Sequence, residues 1–552
     1  MIERLMKEST IVTKAMWIIL IVSFFIIWIN QSIVISVCCA TDLVLIMIIF
    51  HKAGYLQKSE EKSKISWKVV MCCLMWGGVL CFVLFSIMKI SADTIVKKYL
   101  FYLFSVPILA VPAVFLPCNR VNRSIYNFGI LYFSFGLFLV GVMPVGSVPD
   151  EAMHSFTAYR LSNRILGVEK RENGNIAMRE QDIDYQMFPY VNMETYSSFL
   201  IDLETKQSNN DIYYIELPCV EGSDYAYIIP AVGISIGRIL QVNTETMYLL
   251  ARIMNLLFST IGIMYILTKL PVGRNVLCVL MFTPVMMQQM SSISYDIPVN
   301  LSLLFLVTFS LLWFYKREDI TRLDWLFMAI SCYVGIQAKS HAYFLIALLP
   351  LLMYFGRILA DHKKACFLSL LALLICIVMI FIIAKKIPMI SLTADDSYSI
   401  LFLIQNPEEI IRIFIRTVNT YGVWMVFSVI GNYLSYLNLV IHPLLIIFLG
   451  VILIVSTVNG SSLTQLKKSD KVVIMLIAVF ESVIVCVGML LANSHYGDHM
   501  VLGLQGRYFI IMLLMICLTI PSWKRVRLNQ RNISFCHSLL MILIFVNIVH
   551  VY

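Results

Sequence analysis

Apolar runs of roughly 17 to 25 residues, the length a helix needs to cross a bilayer, alternate with short polar loops along almost the whole chain. This pattern predicts an all-α polytopic integral membrane protein of about 14 or 15 crossings, with no visible internal repeat. The first five spans fall at residues 15–29, 32–50, 69–88, 99–116 and 126–145. Later ones fall at 247–267, 275–290, 298–315, 323–338, 342–355, 365–384, within 437–455, 472–491, 506–520 and 534–551.

Basic residues fix the direction. Lys52, Lys58, Lys62, Lys64 and Lys68 follow the second span, and Arg120 and Arg123 follow the fourth. By the positive-inside rule both loops and the N-terminus are cytoplasmic, so the fifth span exits on the outer face. Lys269 and Arg274, Lys316 and Arg317, Lys363 and Lys364, Lys467 and Lys468, and Lys524 and Arg525 keep the same alternation. Two long polar stretches, 146–225 and 385–420, then lie outside. The aromatics of the first, among them Tyr190, Tyr196, Tyr213 and Tyr214, favour a folded subdomain against the membrane. Residues 225–240 are too short to span and read as interfacial or re-entrant. Residues 421–436 read the same way, because a crossing there breaks the alternation. The chain divides into additional N-terminal helices (1–125), a core (126–525) and a last helix (526–552).

Composition agrees with this class. Of 552 residues, 60% are hydrophobic and 14% charged, with a mean hydropathy of +0.84. The net charge of +9 is orientation signal in such a chain, not a nucleic-acid footprint. The 14 cysteines sit mostly in apolar runs, as at Cys38-Cys39 and Cys72-Cys73, with no C-x-x-C pair, and read as packing residues. No cleavable signal peptide is expected.

The chemistry gathers on the outer face. The fifth span is followed by V-P-D-E-A-M-H, residues 148–154, which sets Asp150 and Glu151 where the chain leaves the membrane and His154 one helical turn later. Acids and a histidine there suit proton transfer, cation binding or a grip on sugar hydroxyls. The plain alternative is a solvated loop, with Asp150 capping a helix and Glu151 in its first turn. From distant parts of the chain come Tyr295 and Asp296 in S-S-I-S-Y-D, Lys339 and His341 in A-K-S-H, Gln505, Arg507 and Tyr508 in L-Q-G-R-Y-F, and Gln288 and Gln289 near the outer end of their span. Helix capping is the plain role for Asp296, and snorkelling for Lys339. Arg507 is more telling, since a cation at the outer start of a helix runs against both the helix dipole and the orientation bias. Outward bases beside carboxylates suit an anionic lipid headgroup, with an acid left for chemistry. Asp42, Arg252 and Glu481 lie inside spans, where a charge costs about 2.5 to 3.5 kcal/mol and needs a partner or a cavity.

P-D-E-A-M-H after an outward helix resembles the P-D-E-x-x-H signature of the bacterial domain-of-unknown-function 2142 family, grouped with the GT-C glycosyltransferases. I-P-A-V-G-I-S-I-G-R with R-I-M-N-L-L, T-P-V-M-M-Q-Q-M-S-S-I-S-Y-D, A-K-S-H-A-Y-F and Q-G-R-Y-F match in order, over about residues 126–521. The four helices before Arg120 look like an addition to that core. The resemblance implies a GT-C-like fold and a polyprenyl-phosphate-linked sugar donor. It implies an envelope glycan or surface polymer as acceptor, outside the cytoplasmic membrane. Asp150 would be the general base of an inverting transfer and Glu151 would orient the acceptor or substitute as base. Lys339 and Arg507 would neutralise the leaving phosphate, and His154 and Asp296 would orient the sugar. No cofactor is firmly implied: some GT-C enzymes use a divalent cation and others do not, and no carboxylate cluster here forces one. Membrane lipids are expected partners; no protein partner is implied. The competing readings are a polysaccharide polymerase or ligase, a transporter or flippase of a lipid-linked saccharide, and a non-enzymatic scaffold of an envelope-polymer pathway.

Overall fold

In a computed structural model the described residues are 33–59, 67–90, 92–115, 124–168, 175–183, 187, 190–205, 210–220, 224–338, 342–362, 375, 379, 382–383, 392–459, 466–521 and 528–551. The expected span at 15–29, most of that at 365–384, and Lys339 and His341 lie outside them. The chain is mostly helical, and seven described helices are long and apolar enough to cross a membrane. In chain order the helices before the site are α1 (Ile33–Ser59), α2 (Trp67–Lys89), α3 (Thr94–Phe115) and α4 (Ser124–Val142). The region expected as a long outer stretch is folded, with α5 (Glu151–Ile165), β1 (Ile176–Arg179), α6 (Met193–Glu204) and β2 (Ile212–Ile215). The strands pair antiparallel, Ile176 opposite Ile215.

Next come α7 (Ile228–Ile239) and α8 (Thr244–Lys269). At 12 residues α7 is too short to span. It lies on α8 with almost no gap: a Cβ at Gly233 would stand 2.6 Å from the Ala251 Cα, and one at Gly237 2.9 Å from the Met247 Cα. Small residues four apart permit this close approach in membrane helices.

The expected span at 275–290 is two helices, α9 (Arg274–Met281) and α10 (Pro284–Met290). Pro284 lacks an amide hydrogen and disfavours helix at the residue before it, which places the break. There follow α11 (Asp296–Tyr315), α12 (Arg322–Gln337) and α13 (Leu349–Asp361), then α14 (Pro407–Ile430), a hairpin of β3 (Tyr433–Leu434) and β4 (Leu439–Val440), α15 (Pro443–Val458), α16 (Lys468–Asn493), α17 (Ile510–Thr519) and α18 (Gln530–Val551). The 14 or 15 crossings expected from the apolar runs thus meet a chain in which several runs are broken or short helices. Residues 421–430 are the last turns of α14 and 433–440 the hairpin.

One apolar core runs through the bundle. A second, small one joins Tyr398, Phe402, Leu403 and Ile413 to Leu490, Val501 and Leu504. The non-helical segments at 143–150, 291–295 and 503–505 gather at one end of the bundle, called here the site end. Irregular backbone at such depth is tolerated where it is buried in protein or lines a cavity.

Candidate functional site

The site is built on the turn between α4 and α5. Pro149 leads into Asp150, whose φ of 64° is left-handed, a conformation that a short polar residue tolerates better than a bulky one. Asp150 occupies the N-cap of α5, yet its side chain makes no capping bond. Its carboxylate turns instead to Arg507, whose Nη2 donates at 3.2 Å. The Asp150 amide donates to the Tyr436 hydroxyl at 2.9 Å, and the Ser435 hydroxyl donates to the Ser147 carbonyl at 2.7 Å. The β3–β4 hairpin therefore holds this turn from above. Gln288 fastens the hairpin in its turn, accepting from the Ser435 amide at 2.8 Å.

Glu151 points the other way and is fully buried. Its Oε1 accepts from Arg252 Nε at 2.7 Å and from the Ile293 amide at 3.0 Å. Its Oε2 accepts from Arg252 Nη2 at 2.5 Å and from the Gly146 amide at 2.9 Å. Arg252 also donates to the carbonyls of Val140, Met143 and Pro144, which are the open end of α4. The arginine that looks out of place inside α8 is therefore the clamp that ties α4, α5, α8 and the turn before α11 together.

Arg507 stands on a 3₁₀ turn, Gly506–Phe509, at the start of α17. The turn packs directly on the end of α14: a Cβ on Gly506 would lie 2.2 Å from the Val429 amide nitrogen, so only glycine fits. The guanidinium lies between two carboxylates, 3.2 Å from Asp150 and, through Nε, 3.6 Å from Asp296 Oδ2. It also faces the Tyr508 ring, 5.3 Å from its centroid. Its side chain is 6% exposed, whereas that of Asp150 is 54% exposed. The Arg507 Nη1 is buried with no hydrogen-bond partner among the described residues.

His154 lies one turn into α5. Its Nδ1 and the Tyr227 hydroxyl are 2.6 Å apart, and its ring is 5.3 Å from that of Tyr295. Burial holds His154 well below the usual value, at about 4, against the opposing pull of Asp296 and Asp150. It is a neutral imidazole at neutral pH.

Of the residues singled out in the sequence, Asp150, His154, Tyr295, Asp296, Arg507 and Tyr508 form one cluster, and Glu151 lies directly beneath it. Asp296 is in the first turn of α11, with Tyr295 at the N-cap. Gln505 is half-buried immediately before the 3₁₀ turn. Gln289 is buried, its Oε1 without a hydrogen-bond partner among the described residues. Sequence reasoning missed Tyr436, Ser435 and Tyr227. The aromatic and polar run Y-L-S-Y at 433–436, where the topology was unresolved, is the only signal that pointed to the first two. Among the described residues no group of three or more His, Cys, Asp or Glu side chains is arranged to hold a metal ion. The cation between Asp150 and Asp296 is Arg507 itself.

Chemically, the cluster offers an exposed carboxylate, a guanidinium with a spare N–H, a neutral imidazole and a ring of phenols. That set can accept a proton, bind an oxyanion and orient hydroxyls. Neither curated proteins nor solved structures yielded a match to the chain. Residues 133–516, which hold every residue of this cluster, match the family described as Predicted membrane protein (DUF2142), and the chain belongs to that family.

Proposed function

We propose that the protein is a membrane glycosyltransferase. It moves a sugar from a polyprenyl-phosphate-linked donor to an envelope glycan or cell-surface polymer on the outer face of the cytoplasmic membrane. The observation that carries this reading is the pairing of Asp150 with Arg507. An exposed carboxylate, unused as a helix cap, lies 3.2 Å from a buried arginine. That arginine keeps an N–H free among the described residues. The resemblance to GT-C enzymes supplies the substrate class.

In this mechanism Asp150 takes the proton of the acceptor hydroxyl as its oxygen attacks the anomeric carbon. The bond from that carbon to the phosphate oxygen breaks, the configuration inverts, and the lipid phosphate departs with the bonding pair. Arg507 neutralises the charge that develops there, the step where a preorganised cation acts most strongly. Neutral His154 and Asp296 orient the sugar. Glu151 has both oxygens filled by Arg252 and backbone amides, so it serves as scaffold and does not substitute for Asp150.

The test is complementation of a deletion strain by wild type, Asp150→Asn and Glu151→Gln, reading membrane abundance and the sugar composition of the isolated envelope polymers. Asp150→Asn is expected at normal abundance with one sugar lost, a fall of about 10² or more in rate. Glu151→Gln is expected to fail through low abundance. Full restoration by Asp150→Asn rejects the mechanism. Transport of a lipid-linked saccharide is the second reading, favoured by Glu481, a fully buried carboxyl halfway along α16.

A further inference from the structure

Helix α14 has the length and composition to cross the membrane, but its contacts keep it on one side. Near its first turn Glu409 lies 3.7 Å from His499. Ile413 packs with Leu490 and Val501, and Thr417 Oγ1 accepts from the Val501 amide at 2.9 Å. Near its last turn Ser428 and Val429 touch Gly506. Both ends thus meet one short segment, 499–506, that joins the end of α16 to the start of α17. Seven residues of extended chain reach about 25 Å, comparable with the roughly 28 Å of helix between Glu409 and Ser428. The segment runs alongside the helix on the site end of the bundle. A crossing by α14 would carry this non-helical segment, with Gly503 exposed, through the hydrocarbon, where irregular backbone open to lipid is not tolerated, whereas water at the interface satisfies it.

The residues of α14 divide into three faces. Ile413, Thr417 and Ser428 are buried against the protein. Ile411, Ile415, Val418 and Val426 are 55–67% exposed and fall at i, i+4, i+7 and i+15, a single apolar stripe. Arg412, Arg416 and Asn419, all exposed, lie along one edge of that stripe, with Val423, 77% exposed, among them. Protein, apolar and polar faces around one helix are the pattern of a segment lying in a membrane interface.

We propose that α14 does not cross the bilayer. It lies in the leaflet on the site side, its apolar stripe among the acyl chains and Arg412 and Arg416 at phospholipid phosphates. Its C-terminal end carries the hairpin that grips Asp150, so the leaflet surface and the site are joined by one rigid helix. The inference holds whether or not the site transfers sugar.

The test is cysteine labelling in cells with a membrane-impermeant maleimide, read as the increment over the parent chain. Glu408→Cys and Val440→Cys, both at exposed positions flanking the helix, are expected to react from the same side. Reaction of one in intact cells and of the other only after permeabilisation overturns the proposal. A second measurement places a fluorophore at Ile415 or at Asn419 in vesicles of brominated phosphatidylglycerol and phosphatidylcholine. Stronger quenching at 415 than at 419 supports the lipid-facing stripe. Equal quenching at the two positions rejects it, even where the transferase test succeeds.

Discussion

Two carboxylate–arginine pairs sit back to back on consecutive residues, and they differ in almost everything except composition. In Glu151–Arg252 the partners are 0% and 1% exposed, and each carboxylate oxygen accepts from the arginine and from a backbone amide. In Asp150–Arg507 the carboxylate is half in solvent, a single hydrogen bond joins the two, and the arginine has donors to spare. The first pair is closed to any further partner and serves the fold. The second is incomplete as it stands, and an incomplete, preorganised charge is what a substrate completes. On the proposed reading, adjacent acids in sequence divide into a structural and a chemical role according to their burial.

The comparison breaks most visibly at the closed pair. Arg252→Leu leaves the Glu151 carboxyl buried and facing two amides only, and a buried pair cut in this way costs about 3 to 5 kcal/mol. The expected result is loss of folded protein in detergent, read by size exclusion and thermal melting. A double variant, Glu151→Leu with Arg252→Met, removes both charges and is expected to recover part of that loss. An Arg252→Leu protein that melts like wild type would show that the clamp holds nothing.

His154, one turn into α5 beside the open pair, reports on how dry the site is. Its value of about 4 lies below the ordinary histidine value of about 6.5. Between these pH values the unfolded chain takes up a proton that the native protein refuses. Stability is therefore complete above the ordinary value and declines as pH falls towards 4, by up to about 3 kcal/mol. Melting of wild type and His154→Gln, followed from pH 7.5 to 4.5, is expected to show a steeper decline in wild type. Parallel curves would mean that the ring is hydrated and the site more open than the packing of Tyr227 and Tyr295 around it implies.

The apolar runs and the convergence of P-D-E-A-M-H, S-Y-D and Q-G-R-Y-F on one face were legible in the sequence, because spacing and charge alternation are written locally. Arg252 and Glu481 stood out as charges in apolar runs, but a partner at a separation of 101 residues is a tertiary fact. Nor could periodicity decide between Asp150 and Glu151. Consecutive positions point about 100° apart once a helix begins, and which one faces solvent depends on the left-handed backbone at Asp150. The attitude proposed for α14 was legible only in part, since length and hydropathy do not distinguish a crossing helix from one lying along the surface, and charge alternation alone read residues 421–436 as interfacial or re-entrant.

The smallest effect is expected at Tyr436, and it sharpens the comparison because this residue holds the same turn as Arg252 from the opposite side. Its hydroxyl accepts the Asp150 amide at 2.9 Å, in a place partly open to water. Tyr436→Phe removes one neutral hydrogen bond that solvent can replace, so about 0.5 to 1 kcal/mol of stability is expected to go. Melting separates this from the Arg252 result by several-fold. If instead Tyr436→Phe unfolds the protein as Arg252→Leu does, the hairpin is as much a foundation as the clamp, and the open side of the turn is not free to meet a substrate. If it melts normally while the envelope sugar falls at limiting expression, the hydroxyl acts by fixing the backbone from which Asp150 reaches Arg507.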